Sequence, residues 1–563
     1  MPSPDAIQEF IVQTSLYDAT TGRNTGGNVA LVTKSGTNGF HGAAFGFLRD
    51  TYLNANDYLF KREGLSRGTD NRNVFGGTIG GPIIKNKTFF FLSYQGQREH
   101  NAICLSSCIF SDNIPALLTN DRSTVTLEAM AASYGATLLN PSTLALRQAI
   151  LPNGQYAIPS ASGITSNADG TVTTLLRGLS LYEDNQFDAN LDQIAGTKDR
   201  FSAKYIEENS PSSEADFSFL GANANQASGC GGNLYFRNRL LSTDWTHIFC
   251  TNVLNDARSG FTRIKGVTNP QEPFTNAQFG ISNPLAGQFP GLATVGVTGE
   301  FTVGSAPLAD QWSVTETFQW SDYLTWTRGR NSFRMGGDIF RNHTDFNFNF
   351  FSRGEIATDQ TGCELYGSGC TSAAIGNFDQ FLDGGLNIGL TYGPLDPVIG
   401  LLGNGIRDRY MRTIDADFFL QDDIRASDRL MLNVGIRVSR FGGVSETQGR
   451  LANFNPAVFL ANTTSPCTAA APCNAPEDGV TMLGKGSMLN PNVSNAAPRV
   501  GFSYKPTWSA SMVIRSGYGM YFNRFSRHAS RTCRSSPTPT TLLVWDWAAS
   551  VRRFQIWQAS PFR

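Results

Sequence analysis

Residues 430–439 read LMLNVGIRVS: Leu430, Leu432, Val434, Ile436 and Val438 alternate with Met431, Asn433, Gly435, Arg437 and Ser439. A period of two sends one set to one face of a strand and the second set to the other. The preceding ADFFLQDDI (416–424) lies just across the polar turn RASDR, so the two segments read as a hairpin. The same unit recurs along the chain. FDANLDQI (187–194) meets RFSAKYIEE (200–208), and RLLSTDWTH (239–247) meets VLNDARSGFTRI (253–264). SVTETFQWSDYLTW (313–326) meets NSFRMGGDIF (331–340), and APRVGFSY (497–504) meets SMVIRSGYGMYF (511–522). VFGGTIG and TFFFLSYQ flank GPIIKNK, with the turn expected at Gly81 to Lys87.

The connections carry as much information as the strands. The turns within hairpins are short, whereas the segments between hairpins are long and rich in Gly, Asn, Ser and Pro: 99–185, 209–236, 265–312, 346–409 and 442–495. Short turns at one end and long loops at the other describe an outer-membrane barrel with periplasmic turns and extracellular loops. A soluble sandwich has shorter strands and no such rhythm. The fold class expected is therefore all-β, an antiparallel transmembrane β-barrel with long extracellular loops. In the first hairpin Phe75, Ile79, Phe90, Leu92 and Tyr94 are expected to face lipid, and Thr78, Ser93 and Gln95 the lumen. Trp245, Trp320, Trp326, Phe89 to Phe91, Tyr518 and Tyr521 are expected to form interfacial girdles.

Composition agrees. Charged residues are only 16% of the chain and aromatics 11%, with 40 phenylalanines, a mixture suited to a lipid-facing band. No run of 18 apolar residues is present, so no transmembrane helix is expected; a barrel needs none. The net charge of −1 gives no basic field for nucleic acid. Of nine cysteines, Cys363 and Cys370, Cys467 and Cys473, and Cys104 and Cys108 are close pairs. Their spacing matches no zinc motif, which leaves small disulfide loops, at Cys363–Cys370 and Cys467–Cys473 above all, or free thiols.

The alternation gives roughly thirteen strands, an odd number, whereas bacterial single-chain barrels close with even ones. MPSPDAIQEF has neither a basic n-region nor an apolar h-region, so no signal peptide is read at the start. From Arg524 onward there are seven arginines, no lysine, no glycine and one acid, Asp546, a change in character that suggests an out-of-frame or disordered basic tail at 526–563. The chain is thus expected to be a fragment of a larger barrel.

Residues 8–42, QEFIVQTSLYDATTGRNTGGNVALVTKSGTNGFHG, resemble the end of the plug domain of TonB-dependent outer-membrane receptors. In that family a Gly-Gly pair leads into a strand ending in a Thr-Lys-x-Gly turn; here these are Gly26, Gly27, Asn28 to Val32, Thr33, Lys34, Ser35 and Gly36. FGGTIGGPIIKNKTFFFLSYQG, FFLQDDIRASDRLMLNVGIR, APRVGFSYKP and VIRSGYGMYF are similar to the Oar-like branch of these transporters. The resemblance implies a plugged barrel of about 22 strands when complete. It divides the chain into the end of the plug (1–38), a partial barrel (39–525) and the tail. It also implies active uptake of a bulky substrate across the outer membrane, with the TonB energy-transducing complex, membrane lipid and an unidentified extracellular ligand as partners. Arg23, Gly26, Gly27, Lys34 and Gly36 would lie at the plug–barrel junction. The family's signal peptide, TonB box, most of the plug and the last part of the barrel are not matched. The alternative is a passive barrel or a surface adhesion protein.

Signatures of an enzyme or cofactor fail. His41, His100, His247, His343 and His528 are far apart, with no metal-ligand spacing. GVTMLGKG (479–486) has Gly486 where a phosphate loop needs Ser or Thr. Asp422 and Asp423 are adjacent in a strand and point to opposite faces. No catalytic residue, metal or cofactor is expected. The aromatic cluster FNFNFF (346–351) is a candidate ligand contact or, more simply, loop packing.

Overall fold

The computed structural model describes residues 2–522 apart from 14–17, 23–27, 57, 63–65, 103–108, 134–140, 153, 163–164, 168–169, 178, 215–231, 272, 282–285, 298–300, 305–310, 348–352, 354, 359–407, 455–479, 485–493 and 509–511, together with the short pair 533–534 and 541–542. A two-stranded hairpin, β1 (Ile7–Gln13) and β2 (Asn28–Thr33), comes first. Thirteen strands then form one antiparallel meander: β3 (His41–Arg49), β4 (Asp70–Ile84), β5 (Thr88–Asn101), β6 (Ser180–Ala195), β7 (Asp199–Glu214), β8 (Gly232–Cys250) and β9 (Val253–Pro270), followed by β10 (Gln311–Arg328), β11 (Asn331–Asn347), β12 (Arg409–Arg425), β13 (Leu430–Arg440), β14 (Ser494–Tyr504) and β15 (Ile514–Gly519). Each strand pairs with its sequence neighbours, β3 and β15 standing at the two edges; the pair Ser445–Glu446 adds on beside β12.

Every hairpin expected from the alternation is present, in nearly unbroken register. The strands are longer than the ten-residue segments read from the sequence: β8 has 19 residues and β9 has 18. Backbone pairing continues past the apolar band into the loop side, where polar positions such as Glu207, Arg237 and Arg239 still alternate. The first hairpin turn is tighter than expected. Gly81 and Pro82 are in β4, and the reversal occurs at residues 85–87 with Asn86 at φ 61°, a left-handed position that Asn tolerates.

The register explains the two faces. Direct cross-strand partners Ile79–Leu92–Ala189–Tyr205–Leu241–Phe261–Phe318 form one continuous outer row. Three residues along, Phe89–Asp192–Ser202–Asp244–Arg258–Ser321–Asp338–Asp417–Ser439 runs around the inner face. Phe75, Ile79, Leu92 and Tyr94 are exposed, while Ser93 is buried, as the alternation predicts. Trp245 stacks on Phe201 and Trp326 on Phe333 near the short turns, where a girdle belongs. Three of the expected girdle residues differ. Phe91 is buried on the inner face. Trp320 is at the tenth of eighteen positions of its strand. The Tyr521 ring lies under the Arg499 guanidinium.

The long connections are not structureless. Residues 109–115 pair with 171–177, and helices α1 (Thr124–Ser133) and α2 (Pro141–Gln148) pack with residues of the β9–β10 connection around a common apolar core. That core includes Ile114, Leu127, Leu146, Phe279, Val295 and Phe301. Thr294–Val297 pairs in parallel with Glu355–Thr358, so a third connection joins the same cap. Buried Asn276 ties the second and third of these connections together: its side chain donates to the Arg353 carbonyl and accepts from Ala293 N–H.

Because Leu241 stands mid-strand on the outer row, Leu241→Arg is predicted to lower stability in lipid by about 2–4 kcal/mol. Ser242→Arg, one residue along on the inner face, is predicted to cost much less. Urea titration of chain refolded into vesicles measures both.

Candidate functional site

The segment before β3 rests on the polar face of the sheet, held at two places. At the first, Asn190 on β6 donates from Nδ2 to Thr33 Oγ1 at 3.1 Å and to the Lys34 carbonyl at 2.6 Å. The Ser35 hydroxyl donates to Asp192, two residues along the same strand face. Lys34 N–H donates to the Ala6 carbonyl at 2.8 Å, and Ser3 Oγ to Gln95 Oε1 at 3.0 Å, closing the hairpin base against β5. Gly36 passes so close that a Cβ there would lie 2.3 Å from the Phe90 carbonyl and 2.8 Å from that of Gly81. Only glycine fits this approach.

At the second place, arginines hold backbone carbonyls. Arg437 on β13 is 2% exposed, and its Nη2 lies 2.6 Å from Asp338 Oδ2 and 2.7 Å from Asp417 Oδ2. Asp338 and Asp417 are direct cross-strand partners, so the guanidinium neutralises two carboxylates that the register forces together. Tyr323 donates to the other oxygen of Asp338 at 2.7 Å. Arg437 Nη1 then reaches the Ala19 and Thr20 carbonyls, at 3.3 Å each. Arg499 on β14 donates to the Thr21 carbonyl at 2.5 Å and to that of Asp18. Arg334 bridges Asp423, at 2.5 Å, and the Asp18 carboxylate, at 2.8 Å. Gln421 Oε1 accepts from Ala19 N–H at 3.2 Å. Gly22 lies against Arg437, where a Cβ would meet Nε at 2.1 Å.

These contacts satisfy the carbonyls of a four-residue turn with charged donors in a buried setting, where such bonds are strong. A guanidinium shared by two buried carboxylates is stable only as a complete set; removing one member strands the others.

Of the junction residues expected from the sequence, Lys34 and Gly36 contact the wall, Lys34 through its backbone. Arg23, Gly26 and Gly27 lie outside the described residues, as do Cys363, Cys370, Cys467, Cys473, Cys104, Cys108, His528, residues 348–351 of the aromatic cluster, and Gly479, Lys485 and Gly486 of GVTMLGKG. Asp422 and Asp423 do split between faces: Asp423 joins the arginine cluster, while Asp422 accepts from Asn331 at 2.6 Å. His247 hydrogen-bonds Asp199 at 2.7 Å beside a short turn, and His343 lies 3.5 Å from Glu316. Among the described residues no three His, Cys, Asp or Glu side chains gather as a metal site. Sequence reading missed Arg437, Asp338, Asp417, Arg334, Arg499 and Asp18. Each of the strand residues is a charge at an inward position of an alternating segment, which was the available signal.

A family model described as an outer membrane beta barrel domain matches residues 32–546. The TonB-dependent transporter Oar of Myxococcus xanthus is 34% identical over 112 residues, 18% of this chain and 11% of that protein. Among solved structures, the siderophore receptor PiuA of Acinetobacter baumannii is similar at 11% identity and TM-score 0.43, covering 92% of this chain and 54% of that one. The ferripyoverdine receptor of Pseudomonas aeruginosa is similar at 10% identity and TM-score 0.46, with coverage of 93% and 48%. The chain thus spans about half the length of these solved structures and far less of Oar. The relatives are named as transporters and receptors, not enzymes. With an antiparallel sheet of barrel strands between residues 41 and 519 and a family match over residues 32–546, this chain belongs to the outer membrane β-barrel domain family and is a protein of the cell outer membrane.

Proposed function

We propose that this chain serves TonB-dependent uptake of a bulky substrate across the outer membrane. On this reading residues 1–38 are the end of a plug, 39–525 the barrel part and 526–563 a separate tail. Arg23, Gly26, Gly27, Lys34 and Gly36 form the plug–barrel junction. The observation that carries the reading is the grip of Arg437 and Arg499 on the carbonyls of residues 18–21. A passive pore has no use for an internal segment held by charged donors on several strands. A plug pulled by the energy-transducing complex needs a retaining contact that can break and re-form. Hydrogen bonds to carbonyls suit this, because water replaces them at small net cost once the segment moves. Meanwhile Asp338 and Asp417 keep Arg437 in place.

Four outcomes test this. A cysteine at Thr20, labelled with an impermeant thiol reagent in outer-membrane preparations, is predicted to react faster when the TonB complex is energised; equal rates with and without it count against the reading. Arg437→Met is predicted to destabilise by about 3–5 kcal/mol, because two buried carboxylates lose their counter-charge. The triple change Asp338→Asn, Asp417→Asn, Arg437→Met is predicted to recover most of that in denaturant titration while leaving residue 20 freely labelled. Gly36→Ala is predicted to cost about 1–3 kcal/mol by overpacking against Phe90 and Gly81, read by the same titration.

A further inference from the structure

Arg147 and Arg122 are two of the buried arginines of the cap, and the transport reading does not use them. Arg147, in the last turn of α2, is 0% exposed; Arg122, just ahead of α1, is 5% exposed. They are neighbours: the Gln148 side chain donates to the Arg122 carbonyl at 2.8 Å, and the charge of Arg122 acts on Arg147. Arg147 spends only Nε, on the Thr143 carbonyl of its own helix at 3.2 Å. Arg122 spends Nη2 on the Ile158 carbonyl and Ser160 Oγ, both at 3.1 Å, and stacks at 4.7 Å on the Tyr156 ring. Both Nη atoms of Arg147, and Nε and Nη1 of Arg122, are buried with no hydrogen-bond acceptor among the described residues.

This is an unusual arrangement. Burial pushes each guanidinium down to about 10, Arg147 further disfavoured by its like-charged neighbour. Among the described residues no carboxylate is hydrogen-bonded to either guanidinium. The C-terminal end of α2 favours a cation at Arg147, which offsets only part of the cost of two uncompensated charges. The side chains of Leu146, Leu151 and Ile158 belong to the apolar core of the same cap. Two guanidiniums with free N–H groups in an apolar shell have the donor chemistry of an oxyanion receptor, since planar forks match tetrahedral or carboxylate oxygens.

We propose that Arg147 and Arg122 bind one compact, free oxyanion of the phosphate or sulfate class, enclosed in the cap as a structural counter-ion. The full burial of Arg147 fits an enclosed small ion better than the headgroup of a lipid anchored in the membrane. Bound there, the anion would knit α2 to the segment ahead of α1 and stiffen the cap shared by three connections.

Hydrogen exchange read by mass spectrometry on the full chain in lipopolysaccharide-free detergent tests this. Inorganic phosphate or sulfate replaces chloride at constant ionic strength. The expected result is a saturable slowing, tenfold or more, of amide exchange in peptides covering residues 114–158, with barrel peptides unchanged. In Arg147→Met the slowing disappears, while exchange in chloride is no faster than in the parent chain. Arg147→Lys, which keeps the charge but loses the fork, requires at least tenfold more phosphate. No anion effect in the parent chain overturns the proposal. So does an equal effect in both variants, or protection that appears only when lipopolysaccharide is added.

Discussion

The constraint beneath this structure is that a peptide N–H or C=O in hydrocarbon must find a partner in the protein. Strands β4 to β14 meet it by pairing on both sides, antiparallel, each with the neighbour that a short turn or a long loop supplies. Once paired, the register leaves no freedom in what faces what. A one-residue slip would exchange Leu241 for Ser242 and Ile436 for Arg437, placing charge in lipid and apolar groups against the inner segment. The outer row and the inner row are two consequences of one set of hydrogen bonds.

The inner face inherits a difficulty from that register. Asp338 and Asp417 are direct partners, a repulsive pairing if left alone. Arg437 resolves it through Nη2, and its Nη1 points to the carbonyls of residues 19 and 20. The element that settles the electrostatics of the wall therefore also holds the inner segment. On the proposed reading, that coupling lets a plug be retained firmly by a wall that does not need it in order to stay folded.

Much of this was legible from residue order. Period-two alternation located the hairpins, since a half-buried strand has no other way to write its two faces, and the order of short and long connections gave the barrel its two ends. The Thr33–Gly36 stretch stood out through a resemblance, and Gly36 proves to be a contact point for a steric reason. Three things were not legible. Strand length was underestimated because pairing outlasts the apolar band. The cap was missed because its core is assembled from three separate connections, none apolar enough alone to announce itself. Arg437 with Asp338 and Asp417 was missed because Asp338 lies 99 residues before Arg437, and only the register brings it to the hairpin that carries the other two.

The measurement that bears most directly on the account is a nitroxide scan of residues 432–439 in lipid vesicles, comparing collisions with oxygen and with a water-soluble nickel complex. The register predicts a clean period of two. Positions 432, 434, 436 and 438 should favour oxygen, and 433, 435, 437 and 439 should be shielded from lipid, with position 437 also protected from nickel by the inner segment. Equal access of nickel to both sets, or a period of 3.6, would contradict a lipid-facing barrel wall in this chain.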